Sequence, residues 1–164
     1  MSIGLKIEVN DQGIQDLLSV TQKRFQDLTP AFKNIGEYMI RERDELFRDE
    51  KDPEGRPWAP LAESTKYSIL RKKKTAKQMA RSLAGKKILT QDHHLKRTVY
   101  KAGTDQVVIS PDKTSQAYAV IHQLGGKAGR GRKVTIPARP HLGFNAENKK
   151  EFIEIIKDHL MGIS

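Results

Sequence analysis

The chain has 164 residues, with 30 Lys and Arg against 20 Asp and Glu, a formal net charge of +10 and no cysteine. The length allows one domain. The missing cysteines exclude a disulfide framework, a zinc ribbon, a thiol nucleophile and an iron–sulfur site. No apolar run approaches the roughly 18 residues of a membrane span. The first ten residues have neither the basic n-region nor the apolar h-region of a signal peptide, so the protein is expected to begin in the cytoplasm of its maker.

Residues 3–9 alternate, with Ile3, Leu5, Ile7 and Val9 on one side, the pattern of a half-buried strand. Asn10 or Asp11 can then cap a helix near 14–28 that carries Ile14, Leu17, Leu18, Phe25 and Leu28. Thr29-Pro30 opens a second helix, near 31–48. Its apolar stripe is Phe32, Ile35, Met39, Ile40, Leu46 and Phe47, and Arg41, Glu42, Arg43, Asp44, Glu45 and Arg48 form a face expected to be solvated.

Helical periodicity stops at residues 49–60, where three prolines, a glycine and the only tryptophan make an irregular loop. Trp58 suits either a local core plug or an interface anchor. Residues 61–83 favour a helix with a weak stripe. It is expected to break or project at Arg71, Lys72, Lys73 and Lys74, because four successive cations surround a helix instead of lying on one side.

Residues 97–101 and 106–110 read as an antiparallel hairpin. Residues 117–124 read as a short apolar helix or turn, ended by Gly125-Gly126. A basic glycine-rich loop at 127–133 follows, then a short strand at 134–136. Asn145 caps a final helix, near 146–160, with Phe152, Ile153, Ile156 and Leu160 facing inward. The expected fold is α+β in one domain over 1–164: a small, mostly antiparallel sheet from 3–9, 97–101, 106–110 and 134–136, packed against amphipathic helices, with long basic and Pro/Gly-rich loops.

The positive charge is localised. Residues 66–101 hold twelve basic residues and one acidic, a net of +11, and the remainder of the chain sums to −1. Such a block seeks a polyanion or an acidic protein face, or is simply a solvated surface. The segment 66–101 and the loop 127–133 are therefore expected to project toward partners, with Arg71, Lys72, Lys73, Lys74, Arg130 and Arg132 the candidate contacts to DNA or an acidic partner. Gly129-Arg130-Gly131 could also wrap a phosphate, or stand as a surface tip.

Residue patterns for catalysis are sparse. Adjacent His93 and His94 diverge on a helix or strand, and no carboxylate–histidine spacing matches a metal signature. No Gly-x-Ser-x-Gly elbow occurs. The basic middle is nearly free of the clustered carboxylates that a nuclease needs. The chain is expected to be no enzyme and to need no cofactor or metal.

Four stretches carry a resemblance: Gly55-Arg56-Pro57-Trp58-Ala59-Pro60-Leu61; Ile88-Leu89-Thr90-Gln91-Asp92-His93-His94-Leu95-Lys96-Arg97; Tyr118-Ala119-Val120-Ile121-His122-Gln123-Leu124-Gly125-Gly126; and Ile136-Pro137-Ala138-Arg139-Pro140-His141-Leu142-Gly143-Phe144. In this order they resemble the phage virion morphogenesis family, tail-completion proteins of contractile-tailed phages and Mu-like prophages. His93 stands where that family has glycine, and Leu124 and His141 each replace a common Phe.

The resemblance implies a structural, non-enzymatic virion protein of the neck or head-proximal tail end. It would be made in the host cytoplasm and incorporated in the virion, where it completes the tail so that the head can join. Implied partners are further copies in a hexameric ring, other tail, sheath and neck or connector proteins, and genomic DNA in the channel, with no membrane. Arg56, Trp58, His122, Gln123 and Arg139 are the candidate interface residues. His122 and Gln123 are expected to hold backbone groups at the root of the basic loop, and Arg139 to reach a carboxylate on an adjacent chain. The alternative reading is a basic nucleic-acid-binding protein.

Overall fold

A computed structural model describes residues 11–70, 75–84, 86–90 and 95–163. The expected strand at 3–9 and the cations Arg71 to Lys74 lie outside the described residues. The architecture is α+β: six helices and two separate antiparallel hairpins among the described residues.

Helix α1 (Gln12–Gln26) starts where the Asp11 side chain accepts from the Gly13 amide at 2.9 Å. Helix α2 (Thr29–Asp49) follows, with Pro30 in its first turn. It is the central element, burying Ala31, Ile35, Met39 and Phe47 along one stripe. At Gly36 the ring of Tyr100 lies so close that an added Cβ would sit 2.5 Å from it. Only glycine lets the hairpin settle on the helix at that point. Two of the packing expectations fail here. Arg43, expected in solvent, is buried. Helix α1 buries none of its residues, so its apolar stripe faces outward.

The chain leaves α2 through Glu50 in the left-handed region, and the proline-rich loop that follows is ordered. Buried Asp52 organises it. One carboxylate oxygen accepts from the Glu54 and Arg56 amides at 2.9 Å each, and the other accepts from Arg56 Nε at 2.7 Å. Burial alone would raise the Asp52 pKa, but these hydrogen bonds and the Arg56 charge outweigh it and hold the group below the usual carboxylate range.

Helices α3 (Glu63–Leu70) and α4 (Ala76–Ala84) flank the four cations and pack on each other. The same basic stretch also supplies core residues, since Ile88 and Leu95 are buried with Phe47, Trp58 and Ala119. The first hairpin pairs β1 (Thr98–Ala102) with β2 (Val107–Pro111) and lies on α2.

Helix α5 (Gln116–Leu124) ends at Gly125. The second hairpin pairs β3 (Gly126–Ala128) with β4 (Val134–Ile136), and a 3₁₀ turn at Arg130–Arg132 forms its tip. Residues 134–136 thus do not join the first sheet as expected. Gly125 and Gly126, both at positive φ, lead the chain out of α5, and the tight turn through Gly129, Gly131 and Arg132, also at positive φ, lays 126–128 beside 134–136. The basic loop is accordingly the end of a short hairpin.

Helix α6 (Ala146–Met161) begins with a reciprocal capping box between Asn145 and Asn148. It packs on α2 through Phe152, whose ring meets Tyr38 edge-on at 6.1 Å. Asn148 also donates to the Tyr38 hydroxyl and to Glu42 Oε2, each at 2.9 Å. Ile153, expected on this inner face, points to solvent.

Candidate functional site

Three of the stretches singled out in the sequence meet at the C-terminal end of α2. Trp58 is a core plug, 5% exposed, with its ring edge-on to Phe47 at 5.2 Å. Its indole Nε1 donates to the Pro140 carbonyl at 2.8 Å. Arg139 returns the contact. Its Nε donates to the Ala59 carbonyl at 2.7 Å and its Nη2 to the Pro60 carbonyl at 2.8 Å. The two segments are therefore clasped in both directions.

Gln123 ties in the third stretch. Its Oε1 accepts from the His141 and Leu142 amides at 2.9 and 3.0 Å, and its Nε2 donates to the Leu142 carbonyl at 2.6 Å. The Arg139 amide donates to the His122 carbonyl at 2.6 Å. Gln123 thus holds backbone groups as expected of it, whereas the His122 ring makes no such bond: its Nδ1 has no partner among the described residues. Burial and the nearby Arg139 charge push the His122 pKa down.

The Arg139 guanidinium was expected to reach a carboxylate on an adjacent chain. It is 6% exposed and held by two carbonyls of its own chain, so within the subunit it fixes the direction of the Pro-rich loop. Arg56 is the candidate whose side chain stays in solvent, paired with Asp52 at 2.7 Å and Glu54 at 3.0 Å. Arg130 and Arg132 stand exposed at the tip of the second hairpin.

Two buried groups that sequence reasoning missed support this junction. Arg43, deep against the Phe47 ring, donates through Nη1 to the Lys96 carbonyl at 2.8 Å and through Nη2 to the Leu95 carbonyl. It anchors the stretch that begins at Ile88. Burial pushes its pKa down to about 10. His141 is fully buried, edge-on to Phe47 at 6.0 Å. Its Nδ1 lies 3.3 Å from the Arg139 carbonyl, and burial first, then the Arg43 charge, push its pKa down to about 4. The available signal for Arg43 was its position, four residues before Phe47 on the buried stripe.

Arg139 of the clasp also lines a groove of about 600 Å³. Leu61, Ile88, Leu89, Tyr118, Ile136 and Pro137 supply apolar lining, and His122 and Arg139 lie along it. Lys86 and Lys87 also line it, and Lys87 Nζ donates to the Arg48 carbonyl at 2.6 Å. Among the described residues no group of three or more His, Cys, Asp or Glu could hold a metal ion, and no helix is long and apolar enough to cross a membrane. The arrangement is a shaped, partly apolar trough with basic side chains in its lining.

The chain belongs to the phage virion morphogenesis family, whose model matches residues 9–161. It is similar to the Mu-like prophage FluMu G protein 2 of Haemophilus influenzae, 54% identical over 46 residues. That match covers 28% of this chain and 33% of the relative's own length. No solved structure matches the chain.

Proposed function

We propose that the chain is a structural virion protein of the neck or head-proximal tail end, needed to complete the tail and join it to the head. It would act as a homo-oligomer, in a ring matched to the six-fold symmetry of a contractile tail, touching other tail, sheath and neck proteins. The observation that carries this reading is the outward placement of large apolar side chains on three separate elements. They are Ile14, Leu17, Leu18 and Phe25 on α1, Val99 and Val108 on the first hairpin, and Val120 and Leu124 on α5. A subunit with several apolar faces is built to be covered by neighbours. Head-to-tail contacts between such faces close into rings when the rotation per subunit allows it.

A second reading, contact with DNA in the channel, is supported by Lys127, Arg130, Arg132 and Lys133, all exposed on the second hairpin. The test of the main reading is a phage from which this gene is deleted. Lysates should hold filled heads and unjoined tails, and added purified protein should restore joining. Normal particles without the protein would refute the reading.

A further inference from the structure

A second, smaller cavity of about 20 Å³ lies against the C-terminal half of α2. Its lining includes Met39, Glu42, Arg43 and Leu46 of α2, Ile109 of β2, and His141. One water molecule needs about 10–15 Å³ of such space, so there is room for one and none for an organic ligand. Two of the lining side chains are almost wholly buried, Arg43 at 3% and His141 at 0% exposure. Each keeps one buried polar atom without a partner among the described residues, Arg43 Nε and His141 Nε2. Polar atoms buried in this way are costly unless something meets them.

The chemistry of the two atoms defines what meets them. Arg43 Nη1 and Nη2 serve the Lys96 and Leu95 carbonyls, and its Nε–H can only donate. His141 Nδ1 lies 3.3 Å from the Arg139 carbonyl, which only accepts, so Nδ1 carries the ring proton. Burial first, then the Arg43 charge, keep the ring neutral, with a pKa of about 4. Nε2 is therefore bare and can only accept. A common occupant must accept from one nitrogen and donate to the other. The bare Nε2 and the Glu42 carboxylate refuse an anion such as chloride, and the Arg43 guanidinium refuses a small cation.

We propose that this cavity binds one structural water, which accepts from Arg43 Nε–H and donates to His141 Nε2, with its second proton toward the Glu42 carboxylate. The water completes a polar chain from the Leu95 and Lys96 carbonyls, through Arg43 and His141, to the Arg139 carbonyl. It joins the stretch that begins at Ile88 to the Trp58–Arg139 clasp. The site belongs to the folded subunit and holds wherever in the virion the protein acts.

The test uses the full-length protein. A high-resolution crystal structure should show one ordered water within about 2.7–3.2 Å of both Arg43 Nε and His141 Nε2. Nitrogen-15 NMR at pH 7 should find the His141 proton on Nδ1 and none on Nε2. Magnetic relaxation dispersion of the solvent should count one long-lived water fewer in His141→Phe than in the parent. If that variant does not fold, the parent's crystal structure and ring-nitrogen signals still decide. A direct bond between Arg43 Nε and His141 Nε2, a proton on Nε2, or an anomalous peak at the site after a bromide soak would each overturn the proposal. So would an unchanged water count in a folded His141→Phe.

Discussion

The indole nitrogen of Trp58 reaches the carbonyl of Pro140 at 2.8 Å, across 82 positions of sequence. With the Arg139 guanidinium on the carbonyls of Ala59 and Pro60, it converts two proline-rich turns into one rigid wall. The proline rings restrict φ and lack amide donors, so these segments cannot join a helix or an inner strand. Side-chain donors take over the work that backbone ladders do elsewhere.

Trp58→Phe keeps an aromatic ring against Phe47 but leaves the half-buried Pro140 carbonyl without its donor. Equilibrium unfolding should show a loss of about 1–3 kcal/mol. Trp58→Ala should cost about 3–5 kcal/mol, because it also opens a cavity. Equal costs for the two variants would mean that the hydrogen bond contributes nothing.

Arg43→Met fills similar volume while abandoning the carbonyls of Leu95 and Lys96. A loss of about 2–4 kcal/mol in urea unfolding is expected, together with faster amide exchange in the segment beginning at residue 95. Arg43→Lys should recover only part of the stability, since one ammonium group lacks the planar fork that serves two acceptors. A fully stable Met variant would show that the guanidinium is not the anchor.

His141 gives the fold a defined acid sensitivity. Its folded pKa is about 4, below the ordinary histidine value of about 6.5 in an unfolded chain. Above pH 6.5 both states are neutral there and stability is undiminished. As the pH falls from 6.5 toward 4, the unfolded chain binds a proton that the folded one refuses. Stability then drops by about 3 kcal/mol. His141→Phe keeps a ring beside Phe47 and should flatten this part of the profile, leaving a smaller slope from His122, which is shifted the same way. An unchanged slope in melting temperature against pH would contradict the assignment.

Gly125 ends α5 with φ near +74°, and a Cβ there would lie 2.9 Å from the Ala138 amide nitrogen. Gly125→Ala therefore meets both backbone strain and a clash with the segment running from the end of β4 to Ala138, and should cost about 2 kcal/mol in thermal unfolding. Gly55→Ala also has positive φ but meets nothing within 4 Å, so it should cost less. The reverse order would show that the approach of α5 to β4 is not limiting.

Replacing Arg130 and Arg132 together by Ser should leave melting unchanged, because both are exposed and neither is needed by the core. If the hairpin touches DNA, the slope of log affinity against log salt should fall by roughly 2. An unchanged slope would remove these two residues from any phosphate contact.

The elements that were legible in the sequence are those with strong local signals. The stripe of α2, the cap at Asn145 and the hairpin around Gly103 each combine periodicity with a specific turn or cap residue. Gln123 was legible as a holder of backbone groups, because it follows an apolar helical turn at the root of the basic loop. Arg43 and His141 were not, since their burial depends on a groove made by segments distant in sequence. The outward stripe of α1 was misread for the same reason. Periodicity tells which residues share a face, and says nothing about whether the covering partner is in the same chain. The direction of Arg139 was also set by a remote loop, through the carbonyls of Ala59 and Pro60.

The most direct measurement of the central claim is the position of this protein in the virion. An affinity-labelled copy that still supports infection, imaged by electron microscopy of intact particles and of isolated tails, should place density in a ring at the head-proximal tail end. Label absent from the particles, or distributed along the tube or the capsid, would contradict the account.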